Sequence, residues 1–293
     1  MHHAVYAAHP VTSAPTISVV TPSFNQSDYI ESTLRSVITQ GYPQLQYVVI
    51  DGASNDGSAE IIGRHAESLH YWVSEPDRGH ADALNKGFAH TSGDIMCWIN
   101  SSDVHYPWTL DTVAGIFSEL PQVEWLTGVP TELGHSGGPK LVGGIARNAY
   151  DFLAGDYRWI QQESVFWRRS LWERAGGCVD ASLRYAADFD LWLRFFSLAK
   201  LYHVPTVLGG FRVHGDRLGA RVNYVPEAAR LMSRYVDRQD RRTLRRVKVI
   251  RAVGDRFGQK YQLERVARKL SLCPWYRHAR VEYDFSEGRW RVR

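Results

Sequence analysis

Three short apolar runs, over residues 17–21, 46–50 and 94–99, alternate with helix-patterned segments and end on polar or acidic residues. A near-continuous run such as Gln46-Tyr47-Val48-Val49-Ile50 suits a strand covered on both faces, the usual state of a parallel sheet. Pro22 stops the first run. Asp28 as N-cap with Glu31 three residues later then opens a helix carrying Ile30, Leu34, Val37 and Ile38, ended by Gly41 and Pro43. The second run ends at Asp51, and the loop 52–57 leads to a helix near 58–66. The alternation continues with a strand over 70–74, a helix over 79–90, the strand over 94–99, a helix from Pro107 to Glu119 and a strand over 123–127. Repeated strand-helix-strand units with short connections predict an α/β fold with a parallel sheet and right-handed crossovers. Ligands of such sheets sit beyond the carboxyl ends of the strands. Asp51 and Asp103 both fall on that edge.

Beyond residue 128 the pattern loosens through a Gly-rich stretch, 134–144, before a Trp-rich segment and an apolar helix over 188–199. From about residue 225 the text becomes basic, with Arg241, Arg242, Arg245, Arg246, Lys248 and Arg251 around Leu244, Val247 and Ile250. The expected organisation is a disordered leader over 1–15, one α/β domain over 16–215 and a basic, mainly helical region over 216–293. With 44% hydrophobic residues, 23% charged and a net charge of +4, collagen-like, disordered and disulfide-scaffold classes are excluded. Cys97, Cys178 and Cys273 are scattered without a CxxC pair, which argues against a zinc ribbon and fits a reducing cytoplasm. The first fifteen residues do not read as a signal peptide, and no window of about 18 apolar residues predicts a membrane span. The basic segment reads as a solvated helix face, or as a peripheral contact with anionic lipid head groups. Nucleic acid is not an expected partner, because aromatic interleaving on a recognisable fold is missing.

No GxGxxG follows the first strand and no Walker loop occurs, so a nucleotide would be held without a glycine-rich phosphate loop. The stretches 17–40 (ISVVTPSFNQSDYIESTLRSVITQ), 48–57 (VVIDGASNDG) and 75–88 (EPDRGHADALNKGF) resemble glycosyltransferase family 2. The stretch 93–107, containing Asn100-Ser101-Ser102-Asp103, resembles that family's DxD region. Residues 161–177 (QQESVFWRRSLWERAGG) and 186–194 (AADFDLWLR) resemble its acceptor-side half. The resemblance covers roughly residues 16–215. It implies a GT-A (Rossmann-like) fold, a mixed and mostly parallel sheet flanked by helices, here with a C-terminal helical appendage. It also implies inverting transfer of a sugar from a nucleotide-diphosphate donor, UDP- or dTDP-linked, to a glycan or lipid-linked acceptor in bacterial surface polysaccharide synthesis.

By that resemblance Asp51 contacts the nucleoside, with Pro22, Phe24 and Asn25 as the facing wall; turn formation with Gly52 is the other use of Asp51. Arg78 approaches the diphosphate or is a solvated loop charge, and Asp82 and Asn100 lie toward the donor sugar, Asp82 being equally a helix-face acid. A diphosphate leaving group calls for fixed donors or a divalent cation, Mn2+ or Mg2+. Asp103 matches the metal-binding acid of the DxD region, or caps the next helix; Ser102 replaces the usual second acid, which predicts weaker metal affinity but leaves a hydroxyl to bind the nucleotide through a phosphate or a water. His214 resembles a late metal-site histidine, and an imidazole there favours Mn2+. Asp188 is the expected general base, in a family Glu-Asp pair that reads Ala187-Asp188 here, with Asp190 its competitor. Trp159, Gln161, Gln162, Glu163 and Trp167 line the acceptor pocket by the same resemblance, a core role for Trp167 being the alternative. Two other functions stay open at this point: a catalytically silent nucleotide-sugar or glycan-binding protein, and a membrane-associated scaffold.

Overall fold

The computed structural model describes residues 14–133, 138–142, 160–213, 217–235 and 279–293, with six isolated positions between 245 and 256. The chain opens with β1 (Ile17–Ser23), α1 (Ile30–Ile38), β2 (Leu45–Asp51), α2 (Ser58–Gly63), β3 (Tyr71–Ser74), α3 (His80–Ala89) and β4 (Ile95–Trp98). These four strands are parallel, with Ile17 opposite both Leu45 and Ile95. Every residue of β1 and β4 is buried, as expected of runs that are apolar on both faces. At Gly87 a Cβ would lie 2.4 Å from Val20 Cγ1, so only glycine lets α3 press this closely on β1.

The second half carries β5 (Val104–His105), α4 (Thr109–Glu119), β6 (Trp125–Thr127), β7 (Thr131–Leu133) and β8 (Pro139–Leu141). A 3-10 turn, Gln162–Ser164, leads into β9 (Val165–Arg168), α5 (Arg169–Arg174), α6 (Ala187–Leu198), β10 (Leu201–His203), β11 (Gly209–Arg212) and α7 (Arg217–Tyr235). The chain closes with the hairpin β12 (Ala279–Asp284) and β13 (Arg289–Val292). Among the described residues the main sheet has nine strands in the order β13-β12-β10-β6-β9-β4-β1-β2-β3, and a small second sheet runs β5-β11-β7-β8. β9 is antiparallel to both β4 and β6, so the sheet is mixed. Its reversed entry brings the 162–164 turn to the edge where β4 ends.

α6 covers the middle of this sheet through tryptophan. Trp192 stacks on Trp98 of β4 at 5.5 Å and on Trp125 of β6 at 5.7 Å, while Trp167 of β9 meets Trp98 edge-on at 5.4 Å. All four rings are fully buried, so these four of the ten tryptophans build the core.

Three local expectations change. α1 starts at Ile30 with no side-chain cap, because Gln26 O accepts from both Tyr29 N–H and Ile30 N–H and makes the entry turn without Asp28. The strand over 123–127 shortens to β6. The far C-terminal region, expected to be mainly helical, ends in a hairpin whose β12 pairs with β10 and joins the main sheet. Ala228 and Leu231 of α7 and Val281 of β12 are core residues, so chain beyond residue 216 packs on the α/β sheet. Most of the basic segment over 241–251 lies outside the described residues.

Candidate active site

β1 and β2 end side by side, with Ser23 opposite Asp51. Asp51 is fully buried. Its Oδ1 accepts from Ser54 Oγ at 2.6 Å, and its Oδ2 accepts from Ser54 N–H at 2.9 Å and Ser74 Oγ at 2.7 Å. The carboxylate therefore shapes the 52–57 loop and ties it to β3. Asn25, at φ 51°, donates its N–H to Ser54 Oγ at 2.8 Å, and its Oδ1 accepts from Asn55 N–H at 3.1 Å. Asparagine tolerates this left-handed backbone better than most side chains do. Pro22 is buried inside β1 opposite Ile50, whereas Phe24 leaves the strand and is 61% exposed. A Cβ on Gly52 would lie 2.8 Å from Asp77 Oδ2 and 3.3 Å from Phe24 Cδ2. Backbone, carboxylate and exposed ring thus share one surface at the end of β2.

β4 runs into the turn 100–103, and there a chain of hydrogen bonds crosses the sheet edge. His80 Nε2 and Asn100 Oδ1 are 2.8 Å apart. Asn100 Nδ2 donates to Asp103 Oδ2 at 3.2 Å, Gln162 Nε2 donates to the same oxygen at 3.2 Å, and Arg212 N–H donates to Asp103 Oδ1 at 3.0 Å. Thr33 Oγ1 donates to Asp103 O at 2.7 Å and Arg212 Nε to Ser102 O at 2.8 Å. Asp103 is fully buried and joins the turn to α1, the 162–164 turn and β11. Among the described residues no group of three or more His, Cys, Asp and Glu gathers that could hold a metal ion. Asp103 Oδ1 and Oδ2 together accept three hydrogen bonds from neighbouring groups. His214, the other expected ligand, and Trp159 lie outside the described residues.

Arg78 and Asp82 meet each other. Arg78 Nη2 donates to Asp82 Oδ1 at 2.6 Å, and Arg78 N–H to Asp82 Oδ2 at 3.1 Å, across the first turn of α3. The guanidinium holds the Asp82 carboxyl below its ordinary range. Gln162 and Glu163, expected on the acceptor side, are buried in the 3-10 turn beside Asp103, and Gln161 Oε1 accepts from Thr131 N–H at 2.8 Å. Trp167 is wholly enclosed by the aromatic core and does not reach this edge.

Asp188 stands in the first turn of α6, partly exposed. Its Oδ1 accepts from Phe189 N–H at 2.7 Å, and Tyr224 OH lies 3.4 Å from its Oδ2. Burial pushes its carboxyl up to about 6, well above the ordinary 3.8. Asp190 is buried in an ion pair with Arg194 at 2.9 Å on the same helix. Asp188 is therefore the acid of this pair that keeps an exposed face.

Residues 18–125 match the Glycosyl transferase family 2 sequence profile. A glycosyltransferase of Mycobacterium tuberculosis is 34% identical over 214 residues, which is 70% of this chain and 78% of its own. The chain belongs to glycosyltransferase family 2. Among solved structures, S. aureus TarS (residues 1–349, in complex with UDP-GlcNAc) superimposes with a TM-score of 0.61 at 17% identity, over 75% of this chain and 66% of that one. The mannosyltransferase PcManGT of Pyrobaculum calidifontis, in complex with GDP-Man and Mn2+, gives 0.59 at 20% identity over 88% and 76%. The glycosyltransferase thus has the GT-A fold expected from its sequence. No helix among its described residues is long and apolar enough to cross a membrane.

Sequence reasoning missed several residues of this glycosyltransferase's edge. Asp77 lies within the quoted 75–88 stretch, but only the folded chain sets it over Gly52. Ser23 Oγ, buried beside Asp51 at the end of β1, has no hydrogen-bond partner among the described residues. Arg212 reaches Asp103 from 109 positions away, a distance no local pattern spans.

Proposed function

We propose that the enzyme transfers a sugar, with inversion, from a nucleoside-diphosphate donor to a hydroxyl of a glycan or lipid-linked acceptor, with Asp188 as general base. The observation that carries this is the state of Asp188: partly exposed, held by Phe189 N–H, and raised to about 6 by burial. A base with that pKa is ionised at neutral pH yet basic enough to take a proton during attack. Trp192 lies one helical turn further along the same face, about 6 Å of rise. It stacks on Trp98, the last residue of β4, two positions before Asn100. In the step itself, the acceptor oxygen bonds to the anomeric carbon as the bond to the diphosphate breaks. The acceptor proton passes to Asp188.

On the donor side the nucleoside would lie over Phe24 and Asn25, with Asp51 holding the loop beneath and Asp77 beside Gly52 as a further acceptor. Pro22 backs this wall from inside β1. Arg78 would meet the diphosphate near the start of α3, and Asp82 and Asn100 the donor sugar. Gln162 and Glu163 would orient the acceptor; Gln162 Oε1 is buried without a hydrogen bond among the described residues, which suits an incoming hydroxyl. TarS is in complex with UDP-GlcNAc and PcManGT with GDP-Man, so the base is decided by titrating UDP-, dTDP- and GDP-linked donors in parallel.

Divalent-cation use enters from PcManGT, which holds Mn2+. In this chain Ser102 stands where the family has an acid, and Asp103 is occupied by internal donors. The expected consequence is weak Mn2+ affinity, with the cation held mostly by the donor's own diphosphate. Ser102→Asp should then lower the Mn2+ concentration needed for half-maximal UDP binding by about tenfold, because each added carboxylate tightens a hard-cation site. Calorimetric titration checks this, and an unchanged Mn2+ requirement would remove Ser102 from the site. Turnover should also fall on the acid side of pH about 6, roughly tenfold per pH unit, as the Asp188 carboxylate protonates. A pH profile of kcat reads it directly.

A further inference from the structure

We infer that Glu227 of α7 is a positioning residue for the base, clamping the entry of α6 from outside the segment that matches the family profile. The inference rests on Asp188 being the base.

Glu227 Oε2 accepts from Tyr185 N–H and from Ala186 N–H, each at 2.7 Å, and its Oε1 accepts from Arg184 N–H at 3.3 Å. Ala186 is the N-cap position of α6 and offers no side-chain cap of its own. The start of a helix leaves backbone N–H groups without partners and carries partial positive charge, so a carboxylate there is favourable twice over. The contact joins positions 41 to 43 apart in the chain, so α6 cannot supply it locally.

Tyr224 precedes Glu227 by three residues and so shares its face of α7. That face therefore makes both contacts: Glu227 fixes the backbone two to four residues before Asp188, and Tyr224 OH approaches Asp188 Oδ2 at 3.4 Å. Ala228 and Leu231 are buried in the core, which fixes α7 against α6. If the clamp moved, the base would move with it.

The two groups act on Asp188 with opposite sign. The Glu227 charge raises its pKa, adding to burial, whereas the Tyr224 hydroxyl lowers it by donating to the charged form. On its own helix Asp190 is paired with Arg194, and Arg184 and Tyr185 are the titratable side chains just before the helix. Among the described residues Tyr224 and Glu227 are thus the groups on α7 that set its protonation.

The test is a carbon-13 NMR titration of the full chain labelled at aspartate Cγ, with the Asp188 signal assigned by its loss in Asp188→Asn. No ligand is required. Glu227→Gln keeps an acceptor oxygen for Tyr185 and Ala186 but removes the charge; the midpoint, near 6 in the parent, should drop measurably. Tyr224→Phe should move it upward. Glu227→Gln protein that melts at a lower temperature while its midpoint stays in place would show a structural cap and overturn the inference. So would an unmoved midpoint with unchanged melting. Failure of the base assignment is separable, because it would show as full turnover in Asp188→Asn whatever the titration gives.

Discussion

Asp188→Asn should lower turnover by about 10²–10⁴-fold, the usual contribution of a positioned general base, while donor affinity changes by no more than a few-fold. The asymmetry follows from where the carboxyl stands. It is on α6, where its oxygens face Phe189 N–H and Tyr224 OH, whereas the proposed donor site is built on the 52–57 loop and the 100–103 turn. Asparagine keeps an oxygen for Phe189 N–H but cannot take the acceptor proton. The variant also separates catalysis from folding. The Asp188 carboxyl titrates near 6 in the folded chain against about 3.8 ordinarily, so between those values the folded state holds the proton more tightly than the unfolded state. Rising pH through that window therefore erodes stability in the parent. Asparagine has no proton to lose, so at pH 8 the variant should melt at the same temperature as the parent or higher. Steady-state kinetics, a donor titration and a melting curve at pH 8 together check the prediction.

The second large effect concerns Asp103. Removing its carboxylate in Asp103→Ala strips partners from Arg212 N–H, Asn100 Nδ2 and Gln162 Nε2 at a buried turn. Unsatisfied buried donors are costly, and the sum should be about 2–4 kcal/mol. For a chain of this size that lowers the melting temperature by about 3–7 °C. The decisive condition is buffer containing EDTA and no nucleotide. A residue whose work is confined to cation binding would leave metal-free stability unchanged; the buried strut seen at the end of β4 would not. Asp103→Asn, which keeps the shape and one acceptor oxygen but turns an amide NH2 toward the remaining donor, should recover only part of the loss.

Much of the first half of the chain was legible in the sequence. β1 to β4 are apolar on both faces and α1 to α4 carry local periodicity, so each element is specified by neighbouring residues. A parallel sheet then puts Asp51 and Asp103 on one edge. Asp28 misled because a cap-like sequence is only one way to start a helix, and backbone donation to Gln26 O served instead. The β12–β13 hairpin was readable in the alternation of Ala279, Val281 and Tyr283 and in Gly288, whose φ of 64° suits a tight turn. Its arginine and glutamate content made it look like part of the basic region. The antiparallel entry of β9, the clamp by Glu227 and the closeness of Asp77 to Gly52 are long-range juxtapositions, and no local pattern encodes them. For Trp167 the sequence left two uses open, and the ring is taken by the core beside Trp98 and Trp192.

The most direct measurement is nucleoside-diphosphate release from UDP-, dTDP- and GDP-sugars by the parent and Asp188→Asn side by side, with thermal stabilisation reporting binding. One donor should stabilise both proteins, and only the parent should release its diphosphate at an appreciable rate. Equal release by the two proteins, or a panel in which no nucleotide sugar stabilises either, would contradict a nucleotide-sugar transferase that works through Asp188.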